Sequence, residues 1–131
     1  MAGAPLSVVV LISGSGSNLQ ALIDGQQRGE LPVRIRAVIS NRPGVRGLER
    51  ARQAGIESQV LDHRDFASRE DYDAELLAHI LAFEPGLVVL AGFMRILTPV
   101  LVAPLRGKML NIHPSLLPKY RGCSSLTWAM I

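Results

Sequence analysis

Residues 6–23 read LSVVVLISGSGSNLQALI, and this stretch decides the fold. Residues 6–12 form a nearly continuous apolar run, which is typical of a strand buried on both faces of a parallel sheet. The turn SGSGSN follows at residues 13–18, and apolar residues then return at helical spacing. A glycine-rich turn between a strand and a helix lets backbone N–H groups approach an anion. The stretch therefore predicts an α/β sheet with an anion-binding loop after its first strand.

The glycine turn admits two other interpretations. It lacks the third glycine of the dinucleotide-binding fingerprint, because Leu19 holds that position, so a nicotinamide or flavin cofactor is disfavoured. A tight turn with a Ser or Asn helix cap, and no ligand, stays open on pattern alone.

Strands and helices continue to alternate along the chain. Apolar residues predict further strands over residues 33–40, 56–61, 87–91 and 108–112. Spacing and turn residues predict helices between them, over residues 48–54, from Ser68 to before Pro85, and over 98–105. This order predicts a parallel sheet with right-handed crossovers. Ligands gather beyond the carboxyl ends of such strands, so the loops at 13–18 and 92–97 should meet there.

Composition limits the class of protein. The chain of 131 residues is expected to form one domain, and its 48% hydrophobic content argues against disorder. No apolar run is long enough to span a bilayer, and Cys123 is the single cysteine, so we expect a cytoplasmic protein without disulfides or a membrane partner. Arginines are scattered and aromatic residues few, which favours an anionic small molecule over nucleic acid as the ligand.

The loop GFMRIL at residues 92–97 is unusually apolar for an exposed turn. It suits a slot for a flat heterocycle, or it is ordinary core beneath a loop. His63 lies in a polar loop, where a solvated side chain is the more common situation.

Residues 109–120 read MLNIHPSLLPKY and hold the strongest candidates for catalysis. Pro114 ends the predicted strand, which places His113 at its end and Asn111 two residues back on the same side. An imidazole beside an amide donor can stabilise an oxyanion and move a proton. A histidine that merely caps the strand end is the alternative.

Four stretches in this order resemble the folate-dependent formyltransferases, in particular those that formylate glycinamide ribonucleotide. They are LISGSGSNLQALID (11–24), SNRPGVRGLERARQAGI (40–56), VVLAGFMRILTP (88–99) and NIHPSLLPKY (111–120). The resemblance implies a Rossmann-like parallel sheet with helices on both faces, 10-formyltetrahydrofolate as co-substrate, no metal, and a role in purine biosynthesis.

The resemblance also implies roles for individual residues. Gly16, Ser17 and Asn18 would bind the phosphate of glycinamide ribonucleotide, and His113 and Asn111 would be catalytic. The formyl donor would be bound by six residues: Arg69, Met94, Arg95, Ile96, Leu97 and Asn111.

The chain departs from the family pattern near its end. The family uses an aspartate well downstream of the histidine, whereas no acidic residue follows Glu84 here. The similarity weakens after residue 121, so we expect a domain over residues 1–121 and a divergent or truncated tail over 122–131. We therefore expect little activity from this chain, and a bare last strand at which copies can associate.

Two rival functions remain open on the sequence. One is a non-catalytic fragment that binds a nucleotide or a partner. The other is a formyltransferase of another substrate, such as methionyl-tRNA, although the SGSGSN loop argues against it.

Overall fold

The computed structural model describes residues 5–114 and 126–130, and shows a six-stranded sheet flanked by helices. The elements follow in this order: β1 (Leu6–Ile12), α1 (Ser17–Gln27), β2 (Val33–Ser40), α2 (Arg46–Gln53), β3 (Glu57–Val60), α3 (Arg69–Leu81), β4 (Leu87–Ala91), α4 (Pro99–Val102), β5 (Met109–Pro114) and β6 (Leu126–Met130). A 3-10 turn at His63–Asp65 precedes α3. The predicted α/β fold with helices on both faces is confirmed.

The sheet has the strand order β3-β2-β1-β4-β5-β6. Strands β1 to β5 are mutually parallel, so their carboxyl ends lie at one edge. Strands β1, β2 and β3 follow one another toward one edge of the sheet, whereas β4 lies on the other side of β1. This reversal puts the switch point of the sheet between β1 and β4, where ligands of open α/β sheets bind.

Apolar side chains on both faces of the sheet explain why the central strands β1 and β4 are nearly continuous hydrophobic runs. Val8, Val10 and Ile12 face α1 and α2, whereas Val9 and Leu11 face α3 and α4. The second face receives Tyr72, Leu76 and Ile80 of α3, and all three are fully buried.

Local capping signals set the start of α3. The Ser68 hydroxyl accepts a hydrogen bond from the Asp71 backbone N–H at 3.0 Å, as expected for the first half of a capping box. Helix α4 is shorter than predicted and ends at Val102, because Pro104 cannot continue a helical hydrogen-bond ladder.

The expectation that the last parallel strand, β5, would be a bare edge is wrong. Strand β6 pairs with β5 in antiparallel register, with His113 opposite Thr127 and Leu110 opposite Met130. An antiparallel partner satisfies the open ladder of β5, so β3 and β6 are the edge strands. Among the helices in the described part of the chain, none is long and apolar enough to cross a membrane.

Candidate functional site

Two loops meet at the switch point of the sheet. The glycine loop (residues 13–16) follows β1, and the apolar loop (residues 92–97) follows β4. The Met94 backbone N–H donates to the Ser13 Oγ at 2.7 Å, and Ser13 is buried. This bond joins the two loops directly, as their predicted convergence requires.

Helix α2 contacts the backbone of the glycine loop and holds it in place. Gly16 has a φ of 74°, in the left-handed region, and a Cβ there would lie 2.6 Å from the Gly47 Cα. The Gly47 N–H donates to the Gly14 carbonyl at 3.1 Å, and the Arg50 Nε donates to the Ser15 carbonyl at 2.8 Å. Only glycine allows this conformation and this close approach at position 16.

The start of α1 is open to an anion. Gly16 is its N-cap residue and supplies no side-chain cap, so the interpretation as a Ser or Asn cap does not describe this helix. The first N–H groups of a helix have no acceptor within it, and the helix dipole adds positive potential there. A cavity of about 250 Å³ lies against this end, lined by residues 13–18 together with Arg42, Ala91, Gly92 and Met94. Gly16, Ser17 and Asn18 therefore line a single cavity.

A larger cavity of about 590 Å³ opens between the loops after β2, β3 and β4. Three guanidinium groups give it positive character, and its lining is Asn41, Arg42, Pro43, His63, Arg64, Met94 and Arg95. We call it the arginine cavity. Arg42 and Met94 line both cavities, so the two adjoin.

Several contacts fix the walls of the arginine cavity. His63 Nδ1 lies 3.1 Å from the Asn41 carbonyl oxygen, which ties the loop after β3 to the loop after β2. Arg64 Nη2 contacts Asp62 Oδ2 at 2.8 Å, and its Nε also donates to this carboxylate. These side-chain hydrogen bonds from Arg64 lower the pKa of Asp62 to about 2.

Arg95 is held against buried Tyr72. Its guanidinium carbon lies 4.6 Å from the centre of the Tyr72 ring, a cation–π arrangement. The Tyr72 hydroxyl donates to the Leu61 carbonyl at 2.9 Å, and burial raises the pKa of this hydroxyl. The Arg95 Nε is buried and has no hydrogen-bond acceptor among the described residues, whereas the residue itself lines the arginine cavity.

Each of the two interpretations of the apolar loop, a ligand slot and ordinary core, describes some of its residues. Phe93 and Leu97 pack partly against the core, as ordinary core under a loop would. Met94 and Ile96 are 81% and 65% exposed, which no packing role explains. The exposed pair offers apolar surface to a ligand.

The other predicted site residues are not among those that line the two cavities. Arg69 is exposed at the start of α3, and neither it nor Ile96, Leu97 or Asn111 lines either cavity. Asn111 is half-buried in β5 and pairs with Leu90. The backbone of His113 continues β5 toward the same sheet edge, but its side chain lies outside the described part of the structure, as does Cys123.

Five residues that line the arginine cavity were not predicted as site residues: Asn41, Arg42, Pro43, His63 and Arg64. The signal was available, because SNR ends β2 and DHR follows β3, so these residues occupy the edge at which ligands bind. No group of three or more His, Cys, Asp or Glu side chains suited to a metal ion occurs among the described residues.

The chain is similar to known proteins over nearly its whole length. Residues 6–131 match the family model described as formyl transferase. Phosphoribosylglycinamide formyltransferase of Escherichia coli (strain K12) is 56% identical over 117 residues, which cover 89% of this chain and 55% of the relative. Trifunctional purine biosynthetic protein adenosine-3 of Drosophila melanogaster is 57% identical over 117 residues, or 88% of this chain and 9% of that protein.

A solved structure is also similar to this chain over most of its length. Glycinamide ribonucleotide transformylase 1 from Symbiobacterium toebii superimposes with a TM-score of 0.82 and 44% identity, over 92% of this chain and 57% of that one. The chain thus spans about half the length of the Escherichia coli and Symbiobacterium toebii relatives.

Proposed function

Since this chain belongs to the formyl transferase family, we propose that it serves the transfer of a formyl group from 10-formyltetrahydrofolate to glycinamide ribonucleotide in purine biosynthesis. The observation that carries the proposal is the pair of adjoining cavities that share Arg42 and Met94. One suits a phosphate and the other a carboxylate-bearing molecule, which are the anionic parts of the two reactants.

The glycine loop is proposed to hold the ribonucleotide phosphate. Gly16, Ser17 and Asn18 line the smaller cavity at the N-terminus of α1, where backbone N–H groups favour an anion. Arg42 on the opposite wall adds a positive charge. The glycinamide amine would then extend along the sheet edge toward β5.

The formyl donor is proposed to lie along the apolar loop. Met94 and Ile96 offer exposed apolar surface to its aromatic rings, and the Arg95 guanidinium, which lines the arginine cavity, offers a positive charge to its carboxylates. Arg42 and Arg64 add charge in the same cavity. Arg69, Leu97 and Asn111 complete the proposed donor site.

The chemistry proposed for β5 follows from the reaction itself. The amine nitrogen attacks the formyl carbon, and the bond between that carbon and N10 of the folate breaks after a tetrahedral intermediate. The amine loses a proton, and N10 gains one. Asn111 would donate to the developing oxyanion, a type of contact worth roughly 3–4 kcal/mol, and His113 would stabilise the intermediate and carry the proton.

Calorimetry and a turnover assay test the proposal separately. The 131-residue chain is titrated with glycinamide ribonucleotide and with 10-formyltetrahydrofolate, and formyl transfer is followed by absorbance. We expect both ligands to bind, but turnover to be low, since no acidic residue follows Glu84 to orient the imidazole. The same chain extended by a segment carrying the family aspartate should turn over on the order of 10⁴ faster.

Each result has a distinct meaning. Failure of the extended chain to transfer formyl, with both ligands bound, would contradict the assignment of the reaction. Equal turnover of the two chains would show that His113 is oriented by a group within the 131 residues. Failure of either ligand to bind would contradict the assignment of that cavity.

A further inference from the structure

Asp73 is a buried carboxylate outside the proposed reaction chemistry. It lies on α3, is 1% exposed, and faces the start of α4. Its Oδ2 accepts two hydrogen bonds of 2.7 Å, one from the Thr98 backbone N–H and one from the Thr98 hydroxyl. Thr98 immediately follows the apolar loop and is the N-cap residue of α4, although its own side chain does not cap the helix.

The apolar packing of α3 on the sheet does not itself call for a carboxylate at this position. The packing of α3 on the sheet is already supplied by Tyr72, Leu76 and Ile80. A buried charge is costly, and Asp73 Oδ1 has no hydrogen-bond donor among the described residues. The two bonds to Thr98 are the feature that Asp73 adds, because an apolar side chain there would leave the buried Thr98 N–H and hydroxyl without this acceptor.

These bonds fix one end of the apolar loop, and Ser13 fixes the other. Met94 N–H is held by Ser13 Oγ at 2.7 Å, and Thr98 is held by Asp73. Between the two anchors, Met94 and Ile96 face outward and the Arg95 guanidinium stacks on Tyr72, the neighbour of Asp73 in the chain. The displayed side chains thus depend on a backbone anchored at both ends.

We propose that Asp73 is a positioning residue, which through Thr98 holds the apolar loop in the conformation that binds the formyl donor. This inference rests on the proposed function for the identity of the ligand. The anchoring itself rests on the geometry and can be tested without any ligand.

The first test is amide hydrogen exchange of the full chain, in Asp73→Ala and in Asp71→Ala as the matched control. Asp71 is exposed on the same helix, so its truncation removes a carboxylate without touching Thr98. We expect Asp73→Ala to speed exchange in the peptide covering residues 92–98 by about tenfold, as expected for losing bonds to a charged group. The control should leave that peptide unchanged.

The second test measures affinity for the two reactants. We expect Asp73→Ala to weaken 10-formyltetrahydrofolate by about tenfold or more and glycinamide ribonucleotide by less than about twofold. Asp73→Asn should restore donor affinity, because a carboxamide oxygen can accept both Thr98 bonds. Thr98→Val, which removes only the hydroxyl bond, should give a smaller loss, and it also serves if Asp73→Ala does not fold.

The outcomes separate the inference from the proposed function. Unchanged exchange at residues 92–98, or unchanged donor affinity despite faster exchange, would overturn the positioning role. Equal weakening of both reactants would also overturn it and assign Asp73 to general stability. If the unmodified chain binds no formyl donor, the proposed function fails, and the exchange data alone decide whether Asp73 anchors the loop.

Discussion

Replacing Gly16 with alanine tests the close approach on which the glycine loop depends. Gly16 has a φ of 74°, which costs a non-glycine residue roughly 1–2 kcal/mol. The added Cβ would lie 2.6 Å from the Gly47 Cα, so the loop and α2 must separate, at a further cost of about 1–3 kcal/mol. We expect Gly16→Ala to lower the free energy of unfolding by about 2–5 kcal/mol, or about 8–20 °C in melting temperature at roughly 4 °C per kcal/mol.

The neighbouring Gly14→Ala is the matched control. A Cβ at Gly14 meets no atom within 4 Å, and its φ is not positive, so this variant should unfold within about 0.5 kcal/mol of the parent chain. Denaturant unfolding of the three proteins gives the comparison, and calorimetry with glycinamide ribonucleotide gives the functional consequence. We expect ribonucleotide affinity to fall in Gly16→Ala, with affinity for the formyl donor nearly intact. Equal stability of the two variants would refute the argument from close approach, and equal loss of both ligands would indicate misfolding.

Three further variants test other contacts of the site. Arg50→Ala, which removes the bonds to Ser15 and Gln20, should weaken ribonucleotide binding about five- to tenfold in calorimetry, whereas Arg52→Ala on the exposed side of α2 should not. Asp62→Asn should flatten the pH dependence of stability between about pH 4 and pH 2. The lowered pKa of Asp62 stabilises the folded state above that window, and this benefit is lost as pH falls through it. The prediction is contradicted if the urea midpoint of Asp62→Asn falls with pH across this range as steeply as that of the parent chain. Tyr72→Phe should cost about 1 kcal/mol at pH 7 by removing the bond to the Leu61 carbonyl. It should also reduce the loss of stability above about pH 10, because the raised pKa of the tyrosine favours the folded state only below that pH, as urea titration would reveal.

The parts of the fold that follow from local pattern were predictable from sequence. Strands β1 and β4 are apolar runs, and β2 alternates apolar and charged residues before an apolar end; the observed limits of all three match the predicted ones. Ser68 caps α3 as expected, because capping needs only residues three apart. Gly16, Ser17 and Asn18 line one cavity because a strand, a glycine turn and a helix are consecutive in the chain.

Contacts between distant segments were not predictable in the same way. The bond from Met94 to Ser13 spans 81 residues and the bonds from Thr98 to Asp73 span 25, and no local pattern specifies either pair. His63 looked like a solvated loop residue because its sequence neighbours are polar; only the folded arrangement brings it to Asn41. Strand β6 escaped prediction for the same reason, since its stability comes from pairing with β5 rather than from its own short sequence.

The position of the site follows from topology, whereas its chemistry follows from these long-range contacts. Parallel strands bring the loops after β1 to β4 to one edge whatever residues they carry, which is why the glycine loop and the apolar loop could be expected to meet. The arginine cavity is lined by the loops after β2, β3 and β4, so the order β3-β2-β1-β4 places it beside the switch point. Loops that lack regular hydrogen bonding need anchors to keep a binding geometry, and Ser13, Arg50 and Asp73 each supply one from a different element. A site of this kind tolerates exchange of its exposed residues more readily than loss of an anchor, because each anchor fixes several ligand-facing groups at once.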